Sequence, residues 1–337
     1  MKLLAPLRLS GLLVLLALLC AAPLRSQSSP EEIREELRQV LRSAGYASLL
    51  ASLLASFVQL GVREDLGSAS SLRIDDEFST KYELFRLGGG FDPTRFDNGD
   101  RLILEGDIGH ITSSFATSDL FQGSAPGIAT GIDQKLTSFS ARVGLGYRHE
   151  LGAGFYVRPM VDLFGGVLEN EARYSGPGAA TVGPLFDGLF FNWDSKFVGA
   201  NGSLGLGFER SWDERYPFFA RSTLGHTWLQ TFDATDSAQE FEATAKSLIT
   251  SVEQRGPTGL RPLGQELGWC VFVHNAWFPG STGDDLGFSW FNEYGAALEL
   301  DIEDWGLPIG ELSFSGSYFR GTNVDGFSVG FGLALSL

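Results

Sequence analysis

Cysteine, methionine and histidine are almost missing: two Cys, two Met and four His stand among 337 residues. One cysteine, Cys20, lies in the apolar run near the start, so an exported chain that loses residues 1–26 keeps Cys270 alone and forms no internal disulfide. Leu19 before Cys20 is not small, which argues against a lipidated cysteine. Basic charge is also scarce. Lys and Arg number 25 against 41 Asp and Glu. Three of the basic groups (Lys2, Arg8, Arg25) precede residue 27, so the remainder carries 22 against 41, a net charge near −19. That balance argues against a nucleic acid or an anionic lipid surface as partner, since both are held by positive charge. Zinc spacing, phosphate loops and nucleotide fingerprints are absent, and "GAGFYV" and "LGGGF" precede no helix that would cradle a phosphate. No cofactor is expected.

What is present begins with an export signal. Lys2 and Arg8 open the chain, residues 11–22 are apolar, and polar "RSQSS" follows. Residues 27–66 then repeat at helical spacing. Ser29, Pro30 and Glu32 make a start signal with cap, first-turn proline and capping-box carboxylate. Apolar positions include Ile33, Leu37, Val40 and Leu41. Arg34, Arg38 and Arg42 form a basic stripe. Residues 44–62 carry no charge, which fits a buried amphipathic helix better than an inner-membrane span.

After residue 66 the period changes to two. Ten strands are legible: 78–89, 101–112, 133–148, 154–173, 191–211, 216–231, 268–278, 286–302, 309–320 and 324–337. Glycine- and aspartate-rich connections separate them. Many exceed ten residues, the length a tilted strand needs to cross a bilayer, where ordinary strands run to about five or six. One face carries Phe, Trp, Tyr and Leu to the strand ends. The other carries small and polar residues, among them Glu105, Asp107, Arg142, Arg158, Asp162, Glu209, Glu293, Glu299 and Asp301. A soluble sandwich alternates too, but with grease inside. Strand length and aromatic ends favour the inverted arrangement, an all-β transmembrane antiparallel barrel with apolar side chains against lipid and the charged set facing the lumen.

Short turns belong to the periplasmic side of such barrels. "HELGAG", "WDER" and "EDWGLP" therefore share a side with the C-terminus. Ten strands cannot satisfy that. One more before residue 133 and one within 232–267 can, giving about twelve. Segments 113–132, 174–190 and 232–267 are expected as longer surface loops.

A signal, one helix and about twelve strands ending in the alternating "GFSVGFGLALSL" resemble the translocator domain of autotransporters, and more closely the solitary autotransporter barrels that lack a large passenger. The resemblance spans residues 30–337. It implies a bacterial outer-membrane location among outer-membrane lipid. It implies a helix that threads the pore, a role falling on residues 30–62. It also implies recognition by the barrel-assembly machinery of Phe327, Val329, Phe331, Leu333, Leu335 and Leu337. That sorting signal usually ends in Phe or Trp, and here it ends in Leu337.

On this basis residues 1–26 are a signal peptide, 27–66 a helix that plugs the pore or lies at its periplasmic mouth, and 67–337 the barrel. The arginine stripe is expected either to pair with lumenal carboxylates or to be a solvated face. The function expected is a pore or translocator. A surface barrel acting through its loops is the alternative, and a barrel lipase or protease comes last. His110, His149, His226 and His274 form no Ser–His or Asp–His pair that the sequence can place, so the chain is read as no enzyme. Asp75, Asp76 and Glu77, or Asp284 and Asp285, lack the spacing of a calcium loop and are read as solvated turns.

Overall fold

The computed structural model describes residues 29–43, 67–74, 80–120, 130–211, 213, 215–286, 288–305 and 310–334. The expected signal peptide, the charge-free run 44–62, the side chain of Arg42, Asp75 to Glu77, the side chains of Asp284 and Asp285, and Leu335 and Leu337 lie outside these residues.

The first described element is helix α1, Pro30–Ser43. Its start is the box that the sequence announces. Ser29 N–H donates to the Glu32 carboxylate at 2.9 Å, and Glu32 N–H donates to Ser29 Oγ at 3.3 Å. The two bonds satisfy amide donors that the first helical turn leaves free.

Twelve strands follow: β1 Gly67–Ile74, β2 Lys81–Arg95, β3 Arg101–Leu120, β4 Thr130–Gly152, β5 Phe155–Ser175, β6 Trp193–Ser211, β7 Pro217–Phe232, β8 Glu242–Pro257, β9 Leu267–Trp277, β10 Trp290–Asp301, β11 Glu311–Gly321 and β12 Val324–Ala334. Each pairs antiparallel with its neighbours, and β1 pairs with β12 from Gly67↔Phe331 to Ile74↔Val324, so the sheet closes on itself. Closure is what lipid demands, because an open edge in hydrocarbon leaves peptide groups with no partner. The two strands inferred from turn parity are β1 and β8.

Alternation decides which face meets lipid. Val161, Leu163, Leu204, Leu206, Phe314, Phe327 and Val329 are each more than half exposed. Their sequence neighbours point the other way: Asp162, Gly205, Ser313 and Ser328 are buried. Phe331 shares the outer face.

The glycines of the inner face have a use that the sequence does not reveal. A Cβ on Gly207 would lie 2.0 Å from the Tyr156 ring, one on Gly199 2.2 Å from Phe164, and one on Gly295 2.0 Å from Phe272. Each ring sits directly across the ladder from its glycine. The small positions are beds for aromatic side chains of the next strand.

The connections alternate between two rims. The links after β2, β4, β6, β8 and β10 share a rim with the start of β1 and the end of β12. The three predicted short turns are there. The other rim carries the links after β1, β3, β5, β7, β9 and β11, among them segments 176–192, 233–241 and 278–289. Two expectations about it need correction, and the strand expected within 232–267 is found. Segment 113–132 is largely strand, since β3 runs to Leu120 and β4 starts at Thr130. Segment 232–267 holds β8, whose inner and outer faces are both polar enough to blur the period. The alternation of Leu286 and Phe288 with Trp290 does not extend β10: Leu286 ends helix α3, Ser281–Leu286, and both side chains are buried beside Phe278 and Phe291.

At the short-turn rim, Asp100 ties the β2–β3 turn to β4. Its carboxylate accepts from the Tyr147 hydroxyl, pairs with His149 Nδ1 at 2.9 Å, and accepts from Glu150 N–H at 2.9 Å and Asn98 Nδ2 at 2.8 Å. The Tyr147 bond first, then His149 and the Glu150 amide, hold the Asp100 carboxyl well below the usual carboxylate range. A depressed folded-state value stabilises the native form above the unfolded value, about pH 4, and that contribution fades as pH falls through the lower folded value. Asp100→Asn is therefore expected to lower the thermal transition in detergent at pH 7, with the gap from wild type narrowing only in strong acid. Equal transitions at pH 7 would refute the clamp.

Candidate functional site

The inner face builds two charged walls. The first spans β2 to β7. Glu105, Gly144, Asp162, Asn201 and Thr227 lie in one hydrogen-bonded row across β3, β4, β5, β6 and β7. Arg142, two residues from that row, reaches three carboxylates: Asp107 at 2.6 Å, Asp162 at 3.0 Å and Glu105 at 3.4 Å. Gly144 makes this possible, since a Cβ there would stand 2.2 Å from Asp162 Oδ1. Arg86 adds a second bond to Asp107 at 3.1 Å, and Arg158 pairs with Glu105. Asn201 donates to the other Asp162 oxygen at 2.8 Å and accepts from Thr227 at 3.0 Å. Arg86, Arg142 and Arg158 pair directly with the three carboxylates, and Arg221 of β7 adds a further positive charge that acts on Glu105.

The second wall lies on β8, β9, β10 and β11. Arg255 stands 3.3 Å from Glu253 and 3.4 Å from Glu299. His274 Nδ1 meets Glu293 at 2.9 Å, and Ser317 Oγ donates to the same carboxylate at 2.5 Å. His274 Nε2 is 3.8 Å from Glu253, beyond hydrogen-bond reach. Here three carboxylates face one arginine. The serine hydroxyl goes to Glu293 and not to the imidazole, so this is not a Ser–His pair.

Nearer the short-turn rim, Arg148 bonds Glu150 at 2.6 Å and also pairs with Glu209, and its guanidinium lies 3.6 Å above the Tyr156 ring. Asp301 is exposed where β10 ends. The other histidines are scattered: His149 joins the Asp100 clamp, while His110 and His226 are exposed on the outer face. Among the described residues no group of His, Cys, Asp and Glu is placed to hold a metal ion.

Towards the long-loop rim the inner face turns apolar. Phe164 and Leu168 of β5, Phe197 of β6, Leu229 of β7, Phe115 of β3 and Ile132 of β4 form one buried cluster. Segment 176–192 folds down onto it. This segment carries helix α2, Ala179–Phe186, and its Val182, Phe186, Leu189, Phe190 and Phe191 are buried in the same cluster. Phe278, Leu286 and Phe288 of segment 278–289 pack in a separate cluster against Phe291, Phe319, Leu72 and Ile249. Segment 176–192, which includes most of the surface loop expected at 174–190, thus folds inwards, and so does segment 278–289.

Helix α1 docks at this rim. Leu37 and Leu41, each 2% exposed, enter the first cluster. Arg34 Nη1 donates to the carbonyl oxygens of Pro184 at 2.8 Å, Leu185 at 3.4 Å and Asp187 at 3.0 Å, groups left free where α2 ends. Arg38 pairs with Asp236 of segment 233–241 at 2.9 Å and with Glu35 at 3.0 Å. These partners differ from the lumenal carboxylates proposed from sequence. The helix meets loops at the mouth, and the wall carboxylates already hold arginines of their own.

A family model described as the solitary outer membrane autotransporter beta-barrel domain matches residues 64–326. The chain belongs to that family. The translocator domain of the autotransporter NalP from Neisseria meningitidis shares the fold at 11% identity, covering 86% of this chain and 99% of that one, with a TM-score of 0.53. The β-domain of the Bordetella autotransporter BrkA (14% identity, 82% and 100% covered, TM-score 0.45) and the transport unit of AIDA-I from Escherichia coli (12%, 88% and 99%, 0.47) are also similar. No curated protein matches the sequence.

This autotransporter-type barrel sits in the bacterial outer membrane. Short turns mark its periplasmic rim, so α1 and segment 176–192 lie at the surface mouth. Sequence reasoning missed Arg86, Glu253, Arg255 and the His274–Glu293 pair. Arg86 sat in a weakly patterned strand, β8 was not delimited, and pairing across strands needs the register. Removing Arg142 leaves the buried Asp162 carboxylate without its arginine, while Asp107 keeps Arg86 and Glu105 keeps Arg158, at a cost of about 3–5 kcal/mol. Arg142→Met is expected to lower the urea midpoint in detergent micelles accordingly, and the further change Asp162→Asn to recover part of the loss. An unchanged midpoint for Arg142→Met would refute the role of this wall.

Proposed function

We propose that the chain is a plugged translocator-type pore: an aqueous, cation-preferring channel across the outer membrane, closed at rest by its own N-terminal segment and surface loops. The observation that carries this is the position of α1. It ends at Ser43 on the surface rim, where Leu41 is buried, whereas β1 begins at Gly67 on the periplasmic rim. At the surface rim α1 closes over the mouth together with segment 176–192, its Leu37 and Leu41 buried in the same cluster as Phe186 and Phe190. The NalP likeness adds the same architecture. Cation preference comes from the β8–β11 wall, where Glu253, Glu293 and Glu299 outnumber Arg255.

We also read the barrel as non-enzymatic. Among the described residues the His274 imidazole and the Ser317 hydroxyl both meet Glu293 and not each other, so this wall activates no serine nucleophile. An adhesive role through projecting loops is disfavoured by the inward fold of segments 176–192 and 278–289.

Planar-bilayer recording tests the proposal. The whole chain is expected to conduct rarely, and a variant lacking residues 30–66 to show frequent, cation-selective openings. Glu253→Gln with Glu293→Gln in that variant should weaken the selectivity. A deletion variant that keeps heat-modifiable gel migration yet never conducts would overturn the pore.

A further inference from the structure

Among the described residues seven buried side-chain polar atoms have no hydrogen-bond partner, and three of them, Ser138 Oγ, Asn170 Oδ1 and Ser195 Oγ, lie on the inner wall outside the ion-pair clusters. Their residues are 5%, 1% and 2% exposed. They are also neighbours. Ser138 of β4 and Ser195 of β6 both lie opposite Leu168 of β5, and Asn170 is the next inward residue along that strand. What covers them is the apolar cluster around Leu168, to which segment 176–192 contributes five side chains, and Asn170 Nδ2 itself reaches Phe190 O of that segment at 3.4 Å. A permanent core normally pairs such groups, because each buried orphan costs stability. A pore wall that is wet at times has reason to keep them.

The covering segment is built to move as a unit. Gly176 at one end has φ +87°, and Asn192 at the other has φ +55°. Its backbone is gripped from outside at one stretch. Arg34 of α1 holds the carbonyls of Pro184, Leu185 and Asp187, and Gln239 of segment 233–241 donates to those of Gly188 at 2.9 Å and Leu189 at 2.6 Å. Two side chains from two other segments thus clasp five carbonyls between 184 and 189.

We propose that segment 176–192 is a lid over the surface mouth, that Arg34 and Gln239 are its clasps, and that releasing them swings it outward and hydrates the wall at Ser138, Asn170 and Ser195. The lid deepens the pore assigned above, since it names the moving part, but its signature does not depend on conduction.

The test uses the full chain with Cys270→Ser, so that Ser195→Cys supplies the one reporter thiol in the barrel. Its reaction with a charged, water-soluble maleimide is timed in detergent micelles. Arg34→Ala, and separately Gln239→Ala, are expected to raise the rate by about tenfold or more, as local opening becomes less costly. A control thiol at Ser313→Cys, buried on β11 away from the lid, should react at an unchanged rate. Heat-modifiable migration must persist, and Leu37→Ala replaces a clasp variant that loses it. Unchanged Ser195→Cys rates in folded clasp variants, or an equal rise at Ser313→Cys, would overturn the lid. Faster labelling without any bilayer current would support the lid and refute the pore.

Discussion

Hydrocarbon offers no partner to a peptide N–H or C=O, and the sheet therefore has to end where it began. The eight pairs between β1 and β12 meet that demand. Once the cylinder is shut, sidedness follows without further choice. Odd and even positions on every strand are committed to lipid or lumen, and a protein of mean hydropathy near zero can be greasy outside and charged within. Acidic composition is compatible with this membrane protein because much of its charge lies on the inner wall, facing other charge.

The interior is graded along the axis. Ion pairs fill the middle, and phenyl rings fill the surface end. Phe164 stands two residues from Asp162 on the same strand, so the change from salt bridge to grease takes place within about 7 Å. The loops provide that grease, and α1 fastens one of them. An amphipathic helix with a basic stripe suits the place well: its leucines enter the apolar cluster, and its arginines take the carbonyls and the carboxylate that the loops leave at the mouth.

The barrel was legible because its signal is local. Alternation in β4, β5, β6 and β12 needs only one strand at a time, and turn parity supplied the two strands whose own patterns are faint. The inward position of residues such as Asp162 and Arg142 is a matter of counting by two. Their partners are not. That Arg142 gathers Asp107, Asp162 and Glu105 depends on the relative slide of three strands and on Gly144 between them. That His274 meets Glu293 depends on the β9–β10 register. The loops were least legible, because a run such as Phe186, Leu189, Phe190 and Phe191 is equally apolar whether it projects or tucks in, and only the presence of Phe115, Leu168 and Phe197 below decides the matter.

The aromatic rings bedded on glycines act as a pair of keys. Tyr156 fits Gly207 while Phe164 fits Gly199, on the same two strands. Slide β6 two places one way and Tyr156 finds another glycine, Gly205, but Phe164 then collides with Phe197. Slide it the other way and both rings face side chains, Glu209 and Asn201. Neither fit alone selects between these alignments; together they favour the one observed.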